Sequence, residues 1–543
     1  MKKFLYIILI GLFSSCDSLL DVEPETMVSF DNFYKTEQDL EVTLYQLQDF
    51  VHGRLFDAQV QESAGMLDDY TNNFSAAWKW TPTTIIGTPG TNWGMPYWVV
   101  YMANVLLENM GSAAGEVSPE RLRYYEAQAC FAKGLAYFII GQRWGAVPIT
   151  RNSTSAEAYG NKPILEVLDT AIANATKAFN YLPKQSELQD RLGTAITSRQ
   201  FGSKGSAAAL LAHAYAWKGS LIDLLELEGN SKDCYDKSIE YATCIIDGDV
   251  GHYRFAGSPE ALCLSFSNIE KENPETIFEL TMDMQSEYVI SPYVLGGSYI
   301  GYPYNPDITA SGHRWSGKSL ISKETIDDLY EDQDLRPAAY FYRYSYFTSM
   351  DTIELMFTED KYTEEQRQYK RDSVREENIE KTGGYAYPNK WRSFVFTTSP
   401  NSSSKLVLSA VKTNYAYWRL SDIYLLRAEC YVKTGQDGLA QSDLNRVRSN
   451  ANAVAYPGGR DDGRGLQYAI FHEREREFLM EGHRFFDVVR NGMEYINKEL
   501  RGSFTTMTQS EVKDGAIFLP IFDDAFKLNS LLRQNLYWSQ FIN

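Results

Sequence analysis

The chain has 543 residues, 44% hydrophobic and 14% aromatic with 37 Tyr and 10 Trp, and a formal net charge of −19. That length exceeds one ordinary core and predicts two lobes, or a solenoid with an insertion. A surface this acidic argues against a nucleic-acid partner. The aromatic excess points elsewhere, because Tyr and Trp pair a flat apolar face with a polar edge and so suit sugar rings.

The N-terminus reads as a leader. Lys2 and Lys3 are its positive region, and Phe4 to Phe13 is an apolar run too short to span a bilayer. Ser14 and Ser15 then precede Cys16, as in a bacterial lipobox, with Phe13 where Leu is usual. On this reading residues 1–15 are a signal peptide and Cys16 is the acylated first residue of the mature chain. Several acyl chains, at about 0.8 kcal/mol per buried CH₂, hold a protein on a membrane that no helix crosses. The other cysteines, Cys130, Cys234, Cys244, Cys263 and Cys430, are odd in number and lack a C-x-x-C spacing. They read as buried free thiols rather than a disulfide framework or a metal site.

Helical patterns dominate residues 16–250. Asp39 to Phe50 is a short helix, and Tyr97 to Met110 carries Val100, Ala103, Leu107 and Met110 on one face. Pro119 to Gly141 is long and rich in Ala, and Ile164 to Leu182 repeats apolar residues at three-four spacing. Gly205 to Gly219 is followed by a partner presenting Tyr235, Ile239, Ala242 and Ile246. Three small-residue helices, read as ending at Gly141, Gly219 and Gly435, each precede an amphipathic partner. Such hairpins cannot bury their own apolar faces, so they must stack. Between the first two helices lies an aromatic loop, Asn73 to Trp80 and on through Trp93 to Trp98.

From about residue 251 to 410 the helical period is lost, and Gly, Pro, Ser and aromatics accumulate. Asn273 to Leu280 reads as a short strand and Glu331 to Arg336 as a capped turn. So much irregular chain inside a folded protein is usually functional. Gly296 to Gly301 lacks the strand before and the helix after that a phosphate loop needs. Tyr299, Tyr302, Tyr304 and the run His313-Arg314-Trp315 form a second aromatic loop.

Residues 411–543 return to helix. Trp418 to Gly435 carries two apolar rows and ends at a glycine suited to positive φ. The next helix turns Leu439, Ala440, Leu444 and Val447 back onto it, which is the tetratricopeptide hairpin pattern. Farther on, His472-Glu473 would need a histidine at 476 to make a zinc pair, and that residue is Arg476. Glu473 and Glu477, four apart with Arg474 and Arg476 between them, instead read as a charged helix face.

Three segments of this region, Arg419 to Glu429, Leu444 to Arg448 and Glu473 to Asp487, resemble in their order the C-terminal signature of the SusD/RagB family. These are surface glycan-binding lipoproteins of Bacteroidetes. Gln142 to Ile149 resembles the family's Trp-Gly-x-x-Pro turn, and Asp17 to Pro24 its segment behind the lipidated cysteine. Gly515 to Asp523 and Gln534 to Tyr537 resemble its tail, with Phe522 and Leu536 departing from the pattern. The resemblance implies a mainly α, tetratricopeptide-like helix-hairpin scaffold with an irregular, loop-rich insertion carrying short strands. It also implies an outer-membrane, lipid-anchored chain facing the cell exterior, with a SusC-like TonB-dependent barrel as partner.

No catalytic site is expected, since no Ser-His-Asp order stands out, His number only six, and 71 acidic residues make any chosen carboxylate pair uninformative without geometry. No cofactor or metal is expected. The ligand is expected to be an oligo- or polysaccharide held by stacking, at roughly 0.5–1.5 kcal/mol per aromatic beyond area burial. Two or three such contacts plus hydrogen bonds predict micromolar-class affinity. From composition, the candidate ligand-binding residues are Asn73, Trp78, Trp80, Trp93, Tyr299, Tyr302, Tyr304, Arg314 and Trp315. The alternatives are a peptide-binding, RagB-like member of the same family or a tetratricopeptide adaptor.

Overall fold

The computed structural model describes residues 33–55, 80–87, 89–154, 157–267, 273–281, 321–341, 363, 365, 385–386, 390–391, 394–399, 402–411 and 413–542. Six helices of 14 residues or more open the described chain: α1 (Glu37–Phe50), α2 (Gly94–Asn109), α3 (Pro119–Trp144), α4 (Ile164–Tyr181), α5 (Lys204–Leu225) and α6 (Ser231–Ile246). Each packs on the next, and α1 also reaches α3. The stack then skips the irregular region. α7 (Leu420–Lys433) lies on α6 and carries both α8 (Asp437–Asn450) and α9 (Leu466–Phe478), while α10 (Arg484–Asn491) returns to α5. One apolar cluster runs through the whole stack, from Tyr34 to Trp538. The architecture is a mainly α, tetratricopeptide-like stack of helix hairpins with an irregular segment on it.

Helix starts follow local chemistry. The Thr36 hydroxyl accepts from the Asp39 amide while the Asp39 carboxylate takes the Thr36 amide, closing a capping box on α1. Ser118 caps α3 ahead of a proline in the first turn, and Ser203 caps α5.

Helix ends depart from expectation at two glycines. α3 continues past Gly141 to Trp144, and α5 continues past Gly219 to Leu225. Gly435 does end α7, at φ 77°, and Gly145, at φ 72°, ends α3. Gly141 and Gly219 serve packing instead. A Cβ on Gly141 would meet Val167 of α4 at 3.2 Å, and one on Gly219 would meet the Tyr235 ring of α6 at 2.9 Å. Their missing side chains let paired helices approach closely.

The irregular segment is tied to the scaffold by backbone pairing. Strand β1 (Thr276–Leu280) runs antiparallel to β4 (Tyr415–Arg419), with Phe278 opposite Trp418. Trp418 and Arg419, expected to open a helix, therefore end a strand, and α7 begins at Leu420 because cross-strand bonds claim those two residues. Between β1 and β4, β2 (Phe394–Ser399) and β3 (Ser402–Val411) form an antiparallel hairpin, and Ile321–Ser322 pairs with Tyr385–Ala386. The Asp334 carboxylate accepts from the Arg336 amide, capping the turn expected there. Leu439, expected to face α7, is instead 50% exposed, while Ala440, Leu444 and Val447 are buried.

Candidate functional site

Of the residues singled out for ligand or lipid, Cys16, Asn73, Trp78, Tyr299, Tyr302, Tyr304, Arg314 and Trp315 lie outside the described residues. Trp80 and Trp93 are described, and both point inward, which corrects their place in the ligand-binding set. Trp80 is 1% exposed, its ring packed against Phe485, Phe504 and Trp538 and its Nε1–H donated to the Ala516 carbonyl. Its backbone takes φ 53°, a left-handed conformation that a bulky residue holds only where its surroundings over-determine it. Trp93 is buried edge-on against Tyr97 and Trp144. A ring sealed in the core has no face left for a sugar.

Trp98 has such a face. It lies in the first turns of α2, where the first aromatic stretch ends, and is 49% exposed. Phe50 of α1 meets it near-perpendicular at 6.2 Å between ring centroids, and Tyr101 does so at 5.4 Å. The Arg54 guanidinium sits 5.9 Å from the Phe50 centroid and donates to the Met95 sulfur at 3.4 Å. The indole is thus braced by edge contacts, with a cation beside them. Nothing local in the sequence separates Trp98 from Trp93. Five positions along a helix put the two rings on different faces, one toward α3 and one outward.

The charged run of α9 is not a solvated face. Glu473, Arg474, Glu475, Arg476 and Glu477 are all at most 5% exposed, and each acid meets a cation from elsewhere in the chain. Arg336 of the irregular segment binds Asp334, Glu473 and Glu477 at 2.6, 2.6 and 3.1 Å. Arg448 of α8 also binds Glu473, at 3.0 Å. Arg419, at the end of β4, binds Glu477 at 2.6 Å and spans Glu481 through two bonds of 2.9 Å. Lys390, 0% exposed, donates to the Glu477 and Leu479 carbonyls at 3.0 and 3.2 Å and pairs with Glu481. A second branch links Asp422 to Arg474 at 2.7 Å and to His213 at 2.7 Å, then Arg474 to Asp487 and Arg490 to Glu429.

Burial by itself would raise the Glu473 and Glu481 carboxyls, yet the arginines around Glu473, and Arg419 with Lys390 around Glu481, hold each down at about 2. Burial lowers His483 to about 4, so it is neutral. Among these groups is a cavity of about 40 Å³, touched by His213, Glu481, His483 and Arg490. It has room for a few water molecules and is far too small for a sugar ring.

The family model described as "SusD family" matches residues 238–538, and one described as "Starch-binding associating with outer membrane" matches residues 18–215. The chain belongs to the SusD family. A SusD-like protein of Formosa agariphila is 24% identical over 546 residues, covering 94% of each chain. The starch-binding protein SusD of Bacteroides thetaiotaomicron is 32% identical over 111 residues, covering 20% of this chain and 18% of its own. A crystal structure of a SusD homolog from Bacteroides thetaiotaomicron superposes with a TM-score of 0.68 at 19% identity, covering 93% of this chain and 99% of that one. The three SusD-signature segments of this sequence prove to be one object in space. Arg419 and Asp422 from the first, Arg448 from the second and Glu473, Arg474, Glu477, Glu481 and Asp487 from the third are mutual partners in the ionic core. The signature thus builds the ionic core of the scaffold.

Proposed function

We propose that this SusD-family chain is an outer-membrane, cell-surface lipoprotein that captures oligo- or polysaccharide through aromatic faces. It then passes the glycan to a SusC-like TonB-dependent barrel without altering it. The observation that carries this is Trp98, a half-exposed indole braced edge-on by Phe50 and Tyr101 on a packed helix stack. A flat apolar face with preset orientation stacks on a sugar ring at little entropic cost. The "Starch-binding associating with outer membrane" family description, over the residues that include Trp98, agrees in both ligand class and location. Binding without catalysis is supported by the fate of the acids in and just beyond α9. Glu473 and Glu481 sit at about 2, held by arginine and lysine, the opposite of the raised value a general acid needs.

The test is native affinity electrophoresis of the full chain in gels carrying soluble starch, xylan, glucomannan or laminarin. At least one polymer should retard the protein, and Trp98→Ala should weaken that retention by roughly three- to tenfold, the worth of one stacked ring. Free migration of the parent through all four gels would refute glycan capture.

A further inference from the structure

We infer that, apart from the Trp98 cluster, a second pocket for a neutral sugar ring lies between the first turn of α9 and the short helix Met493–Glu499. The inference rests on the glycan reading above. The pocket has a volume of about 320 Å³, within the range of small-molecule sites. The Tyr495 ring lines it, and the Tyr468 ring, 5.9 Å away at a shallow 35°, is only 6% exposed. Tyr495 is half-buried, so part of its surface opens to the pocket, while the Arg464 guanidinium covers Tyr468 at 3.1 Å from its centroid.

The rim decides the ligand class. Two cations, Arg464 and Lys498, face two carboxylates, Glu499 and Glu494, at 3.6 and 2.6 Å. The Tyr468 hydroxyl donates to Glu499 at 2.9 Å. With equal numbers of each sign the rim has no formal charge to offer an anion or a cation. It does offer donors and acceptors side by side, which is what a hydroxyl, both donor and acceptor, requires. One partly open tyrosine ring, Tyr495, beside a balanced polar rim fits an uncharged polyhydroxylated ring.

This pocket is on α9 and the Trp98 cluster is on α2, at separate places in the helix stack. Two sites on one stiff body grip a long glycan by effective concentration, and an oligosaccharide too short to reach both gains nothing from the second. The pocket is therefore assigned to polymer retention.

The experiment uses the full chain with Tyr495→Ala, Tyr495→Phe and Trp98→Ala, checked for folding by circular dichroism. The probes are the polymer among soluble starch, xylan, glucomannan and laminarin that retards the parent most, and the hexasaccharide of the same linkage. Tyr495→Ala should lose about three- to tenfold in polymer retention while hexasaccharide affinity at the Trp98 cluster stays within about twofold. Tyr495→Phe, which keeps the ring, should stay near the parent. If Tyr495→Ala is retarded like the parent in a gel where Trp98→Ala shows its three- to tenfold loss, the second pocket is refuted and glycan capture survives. If no polymer retards the parent, glycan capture fails and the second pocket fails with it.

Discussion

The Arg419 guanidinium, at the end of β4, grips the Glu481 carboxylate with two parallel bonds of 2.9 Å just beyond α9, and both residues are at most 3% exposed. The fork-to-carboxylate match makes this among the stronger polar contacts a protein can build. Lys390 of the irregular segment reaches the same carboxylate, so one acid joins sheet, helix stack and insertion.

Removing one partner of such a buried pair strands the others. Glu481→Gln should cost on the order of 3–5 kcal/mol of unfolding free energy, because Arg419 and Lys390 both lose a counter-charge away from water. Urea unfolding reads this directly. A loss under about 1 kcal/mol would show that the remaining partners, Glu477 and Glu275, compensate fully.

The dependence on pH follows from the directions of the shifts. Glu473 and Glu481 are held at about 2 in the fold, below the ordinary carboxyl range, so their stabilisation is complete above about 4.5. It is lost as pH falls from there toward 2, because the unfolded chain takes up protons first. Between about 7 and 4.5 two other groups oppose each other. Burial raises Glu279 to about 7, so acidification relieves its penalty, while His483, lowered to about 4, loses stability as pH falls from 6.5. Melting temperature measured across pH should change little from 7 to about 4.5 and drop steeply below. A steep fall already at pH 6 would contradict the offset.

Trp80 and Trp98 should separate stability from binding. Trp80→Ala empties a site packed by Phe485, Phe504 and Trp538 and should cost about 3–5 kcal/mol. Retention of glycan per folded molecule should stay at the parent level. Trp98→Ala should do the reverse, with a near-parental urea midpoint. Equal loss of glycan binding in both variants at matched folded fraction would restore Trp80 to the ligand face.

Cys16, if it is the first mature residue, carries the membrane attachment. Cys16→Ser should move the chain from the membrane pellet to the soluble fraction in cell fractionation and abolish incorporation of labelled palmitate. Continued labelling would place the lipid on another residue.

Local pattern was enough for much of this protein. Three-four apolar spacing located the helices, the demand for positive φ ended α7 at Gly435, and a short β pattern located Thr276–Leu280. The ordered motifs from Arg419 to Asp487 marked the family. All of these depend on residues near one another in the chain, where period and backbone preference act. What tertiary structure decided was which side of each residue was closed. Gly141 and Gly219 are read by sequence as stops, yet they lie within helices because another helix crosses there. The run from Glu473 to Glu477 reads as a charged helix face with its own counter-charges, Arg474 and Arg476, yet cations from positions 336, 419 and 448 enclose it. Trp80 reads like Trp98, but its indole meets a carbonyl 436 residues away while Trp98 meets solvent. Burial is a property of the partner as much as of the residue, and a partner hundreds of positions distant leaves no mark in the local pattern.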